Sequence, residues 1–139
     1  MKRMIRIALG ITLGIAVLNA SAGLLVIVNP QNHNLLNADQ VRNIFLGKTR
    51  SFPDGSTAIP VEVSTPPSLR QEFEKIVLKK DDAQVRAYWA QMVFTGRATP
   101  PKTVSSEAEL RSLVASNPNL VGYVDTGASD KSVKVVLQP

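Results

Sequence analysis

The chain has no cysteine, one histidine, one tryptophan, and only 5% aromatic residues among its 139 positions. Without cysteine there is no disulfide, so the fold must hold by its core alone. A lipid anchor on a mature N-terminal cysteine is excluded for the same reason. The lone His33 sits in the polar stretch Asn32-His33-Asn34. One histidine cannot hold zinc without several carboxylate helpers, and none is near in sequence. It reads as an exposed surface side chain. Gly-x-Ser-x-Gly, the P-loop and GxGxxG are all missing, and no Ser-His-Asp order can be proposed. The acids Glu72, Glu74, Glu107 and Glu109 fall on outward faces of predicted helices and read as solvated. No metal, no cofactor and no enzymatic chemistry is expected.

Net charge is also small once it is placed. The formal value is +5, but three of the 16 cations are Lys2, Arg3 and Arg6. The remaining 13 cations face 11 acids. They are scattered, and the one adjacent pair, Lys79-Lys80, is followed at once by Asp81-Asp82. This is not the footprint of a nucleic-acid binder.

A single long apolar run is present, at the N-terminus. Basic Lys2, Arg3 and Arg6 precede the almost wholly apolar Ile7–Leu18, and Ala20-Ser21-Ala22 follows as a small-x-small cleavage site. That is the pattern of a secretory signal peptide over residues 1–22. The rival is an uncleaved anchor, because no charge falls between Arg6 and Asp39. Asn19 and Ser21 interrupt that stretch, and Leu24–Val28 is better used as a strand. The expected mature part is residues 23–139, one domain outside the cytoplasm, in the periplasm.

Strand and helix signals then alternate. Leu24–Val28 and Ala58–Val63 read as strands, with Pro60 placing the second at an edge or bulge. Asn37 can cap a helix from Ala38 to about Leu46, with Val41, Ile44 and Phe45 as its apolar face and Gly47 as its stop. Phe52-Pro53-Asp54-Gly55-Ser56 is a turn. A helix from Ser64-Thr65-Pro66-Pro67-Ser68 runs through Leu78, with Leu69, Phe73, Ile76 and Val77 inward. Asp81 or Asp82 caps the next, whose inward residues are Val85, Tyr88, Trp89, Met92 and Val93. Trp89 and Phe94 read as core. Residues 97–104 read as a rigid loop holding Pro100-Pro101. Ser105-Ser106 opens a helix with Leu110, Leu113 and Val114 inward, and a capping-box pattern at its start. Leu120–Val124 and Ser132–Leu137 are the last strands. The order β-α-β-α-α-α-β-β predicts an α/β domain with helices covering a small mixed sheet.

One local feature could bind an anion. Ser64 and Thr65 stand between a strand and a helix N-terminus, where hydroxyls, backbone N–H groups and the helix dipole converge. Arg70 lies one turn further on. Pro66 and Pro67, however, delete two N–H donors. Ordinary N-capping by Ser64 or Thr65 is the plainer account.

Several motifs resemble the phosphate-binding proteins of ABC transporters, of the type 2 periplasmic-binding-protein superfamily. Val26-Ile27-Val28-Asn29-Pro30 is followed by Leu36–Lys48, which is similar to that family's helix ending in IF-x-GK, and then by the Phe52–Gly55 turn. Tyr88–Gly96 with Pro100-Pro101, and Val121-Gly122-Tyr123-Val124, fit as well. The resemblance implies a fold: a single lobe of a type 2 periplasmic binding protein. It implies a non-enzymatic, solute-binding module for phosphate or another small oxyanion, with Ser64, Thr65, Ser68 and Arg70 as ligand-binding residues.

The phosphate loop departs from the family's pattern. Its arginine is replaced by Glu62 or Val63, and its glycine is absent. A carboxylate near the site would repel phosphate by ~1 kcal/mol or more per close pair. The alternative is a module that kept the lobe and lost the ligand. Its open cleft face would dock an ABC permease or other envelope protein, or self-associate.

Overall fold

The computed structural model describes residues 23–139. The expected signal segment lies outside the described residues. Five strands form one sheet in the order β3-β2-β4-β1-β5. They are β1 (Leu24–Val28), β2 (Ile59–Val63), β3 (Lys102–Val104), β4 (Leu120–Asp125) and β5 (Lys134–Leu137). β2 is parallel to both β3 and β4, while β1 runs antiparallel to β4 and β5. All five residues of β1 are buried. A strand covered on both faces must be apolar throughout, which is why Leu24–Val28 shows no alternation.

Four α-helices connect these strands: α1 (Ala38–Phe45), α2 (Pro67–Phe73), α3 (Asp82–Phe94) and α4 (Glu107–Ser116). Local chemistry sets their ends. Asn37 caps α1 and Asp81 caps α3, each in a full capping box with a glutamine three residues on. Gly47 follows α1 with φ +69°. A β-carbon there would also fall 2.8 Å from that of Ala98 and 3.3 Å from the Trp89 ring. Glycine is therefore required twice, by backbone and by packing.

One face of the sheet carries an aromatic cluster. Phe73 of α2 stacks on Tyr123 of β4 at 3.9 Å, and Phe45 of α1 meets Phe73 edge-on at 4.7 Å. The other face carries α4. Gly122 neighbours Tyr123, so it points the opposite way. A β-carbon on it would lie 2.7 Å from Leu110 Cδ2, and this absence of a side chain lets α4 press onto the sheet.

The sequence expectations hold for the mixed α/β class and fail in several details. Residues 102–104 are not loop but strand β3, paired with Val61–Val63. Pro60 sits in an interior strand rather than at an edge. It is tolerated because β3 begins only opposite Val61, so its missing N–H faces no partner. α2 does not run on as a regular helix. It widens into a π-helical turn, Glu74–Leu78. That turn carries Glu74 inward, to 2% exposure, and Ile76 outward, to 42%. Val93 and Phe94 are 54% and 92% exposed, not core. Val85 is the one fully buried residue of α3, and Phe94, nine residues on, points the opposite way at 100° per residue. Trp89 is half-buried against the core.

Candidate functional site

Parallel strands present their carboxyl ends at one edge, and ligands of open α/β sheets bind there. Here that edge gathers the end of β2, the end of β3 and the end of β4. The Ser64 N–H donates to Val104 O at 2.9 Å, and its hydroxyl reaches the same oxygen at 3.4 Å. Ser64 is thus tied to the end of β3. Ser64, Thr65 and Ser68 are all exposed. They do not cap α2: the N-cap residue is Pro66, and no side chain caps the helix. Ser68 is the first residue of the turn that still carries an N–H.

Arg70 reaches inward from α2. Its Nη2 lies 3.5 Å from Glu62 Oε1 and its Nε 3.2 Å from Glu74 Oε1. The parallel register of β2 and β4 brings Glu62 beside Tyr123, whose hydroxyl donates to Glu62 Oε2 at 3.2 Å. Two buried carboxylates therefore share one guanidinium. Neither Glu74 oxygen nor Arg70 Nε makes a hydrogen bond of good geometry. Burial pushes the Glu62 carboxyl above its ordinary value, with Arg70 and the Tyr123 hydroxyl only partly opposing. Burial likewise pushes Glu74 up. Arg70 opposes this, while the negative charges of Asp82 and Glu62 add to it. Tyr123 is held far above its ordinary value by burial and by Glu62, so it remains a donor.

The rest of this edge is supplied with the chain's own carboxylates. At the start of α4, Ser106 Oγ accepts from the Glu109 N–H at 3.1 Å. Glu109 Oε2 in turn accepts from the Ser105 N–H and hydroxyl at 3.2 and 2.8 Å. Glu107 accepts the N–H of Asp125. A cavity of about 360 Å³ beside Ser68 is lined by Glu72, Glu107 and Asp125. Arg70 is thus met by Glu62 and Glu74, while Glu109 and Glu107 take up the backbone N–H groups of Ser105 and Asp125 at this edge.

The structure thus brings Ser64, Thr65 and Ser68 to one exposed corner and places Arg70 behind it, bound to carboxylates. Sequence reasoning missed Glu74, assigning it to the surface. The signal available was its spacing: Arg70 and Glu74 stand at i and i+4, where opposite charges meet. His33 is exposed and follows β1, which runs counter to its neighbour β4, so it lies at the opposite edge of the sheet. Among the described residues no cluster of histidines and acids could hold a metal. No described helix is long and apolar enough to cross a membrane.

The five-stranded mixed sheet with its four helices matches one lobe of a periplasmic-binding-protein-like fold, as comparison with solved structures shows. The chain is similar to an ABC-type phosphate transport receptor from Vibrio cholerae, with TM-score 0.64 and 22% identity. That match covers 82% of this chain and 45% of the receptor. A putative phosphate ABC transporter substrate-binding protein from Clostridium perfringens, with bound phosphate, matches at TM-score 0.64 and 21% identity. PstS from Borrelia burgdorferi matches at TM-score 0.58 and 14% identity, over 82% of this chain and 46% of that one. The chain spans less than half the length of these structures. No family model matches it, and no curated protein does.

Proposed function

We propose that this chain is a non-enzymatic, solute-binding module of the phosphate-receptor type, exported to the periplasm. It forms one wall of an oxyanion site at the hydroxyl corner Ser64, Thr65 and Ser68. The observation that carries the reading is the fold itself: one lobe, matched over 82% of this chain by phosphate receptors. The corner stands at the carboxyl ends of parallel strands, where such a lobe would present it. Hydroxyls and the Ser68 N–H would hold the anion by hydrogen bonds, without covalent chemistry. Arg70 lends little free charge, because Glu62 and Glu74 already hold it. One wall cannot enclose a ligand as a closing cleft does, so affinity for the lone lobe is weak.

Titration calorimetry with phosphate tests this. Millimolar binding, weakened by added salt and lost in Ser64→Ala with Ser68→Ala, is the expected result. Submicromolar binding would contradict the one-wall account. No heat at tens of millimolar phosphate, with a folded protein, would remove oxyanion binding. The second reading, a lobe that has lost its ligand and docks an ABC permease, another envelope protein or a second copy of itself, would then stand. It is favoured by the carboxylates Glu109 and Glu107, which take up the Ser105 and Asp125 N–H groups at this edge.

A further inference from the structure

A second surface lies at the other end of β2. A groove of about 470 Å³ runs between the end of α1, the start of β2 and the end of α3. Its floor is apolar and firm: Ile44, Ala58 and Ala98 are buried. Its rim is apolar and loose: Ile59 is 37% exposed, Val93 54%, and the adjoining Phe94 92%. Phe94, the last residue of α3, is thus almost wholly exposed within the described residues.

The segments that build the groove carry charge of one sign. Residues 44–50, 57–60 and 93–99 hold Lys48, Arg50 and Arg97 and no acid. Arg50 Nη2 donates to Arg97 O at 3.2 Å, which holds one guanidinium at the rim. The backbone offers little. The Ala58 N–H already donates to Arg50 O, and Pro60 has no N–H. Strand addition is therefore blocked, and recognition must come from side chains.

We propose that this groove is a docking site for a peptide segment of a partner protein, in which an apolar side chain is flanked by carboxylates. The apolar residue enters between Ile59 and Val93 over the floor of Ile44, Ala58 and Ala98. The flanking acids meet Arg50, Lys48 and Arg97. Electrostatic complementarity of this kind sets register and partner choice. A flat anionic bilayer could meet Phe94 and the cations but could not fill a concave floor. The groove and the Ser64 corner stand at opposite ends of β2, so the two proposals fail independently.

The experiment is selection of a random peptide library on protein produced from the full chain. Anisotropy titration of the best synthetic peptide follows. The expected consensus is an aliphatic or aromatic residue with Asp or Glu beside it. Val93→Asp and Arg50→Glu, each checked by circular dichroism, should weaken binding at least about tenfold. Lysines in place of the peptide's acids should recover part of the loss in Arg50→Glu. The phosphate response should not change in either variant. A consensus without acids, no consensus, or binding indifferent to both substitutions would overturn the proposal. So would binding to phosphatidylglycerol vesicles, lost in Phe94→Ser, with no peptide selected.

Discussion

Replacing Arg70 with methionine leaves Glu62 and Glu74 buried with no cation between them. Breaking a fully buried ion pair by removing one partner costs roughly 3–5 kcal/mol. Two features reduce that figure here. The Arg70 side chain is 37% exposed, so solvent screens part of its interaction. The carboxyls can also take up a proton instead of staying charged. The loss should therefore be about 2 kcal/mol at pH 8 and under about 1 kcal/mol at pH 5.

The sign follows from linkage. Both carboxyls bind their proton more tightly in the folded state than at the ordinary value of 4.5. Their contribution is complete below that value and is lost as pH rises through the raised folded values. The wild-type protein should thus weaken from pH 5 to pH 8, and Arg70→Met should weaken more steeply. Urea unfolding at the two pH values measures both slopes. Adding Glu62→Gln to Arg70→Met should recover most of the loss at pH 8, since one buried charge is gone. Equal losses at both pH values, or less than about 0.5 kcal/mol at pH 8, would refute the reasoning.

Two further outcomes rest on the core. Gly122→Ala puts a β-carbon 2.7 Å from Leu110, and the overpacking should cost about 1–3 kcal/mol, read as a lower urea midpoint. Phe73→Ala removes the ring stacked at 3.9 Å on Tyr123 and should cost about 3–5 kcal/mol, seen by calorimetry as a large fall in Tm. An unchanged midpoint or Tm would count against the packing described.

Local chemistry was legible in the sequence, and long-range registration was not. The caps at Asn37 and Asp81 and the stop at Gly47 depend on residues within a turn of one another, so the chain spells them out. β3 has only three residues, too few for any periodicity, and exists because β2 offers it an edge. Phe94 reads as core, yet it stands on the face of α3 opposite the buried Val85 and is exposed. The candidate site divides in the same way. The position of Ser64 and Thr65 at a strand end was readable. Their electrostatic company was not. Glu62 meets Tyr123 through the β2–β4 register, and Glu74 turns inward through a π-helical turn that no pattern announced.

The proposed oxyanion wall at the end of β2 stands among the chain's own carboxylates, which weaken it. The most direct measurement is amide chemical-shift mapping during a phosphate titration at constant ionic strength. The account predicts saturable shifts at Thr65 and Ser68, and at Ser64, with a millimolar midpoint and little change at the opposite edge near His33. Shifts spread evenly over the surface, or none at the β2–α2 corner, would contradict it.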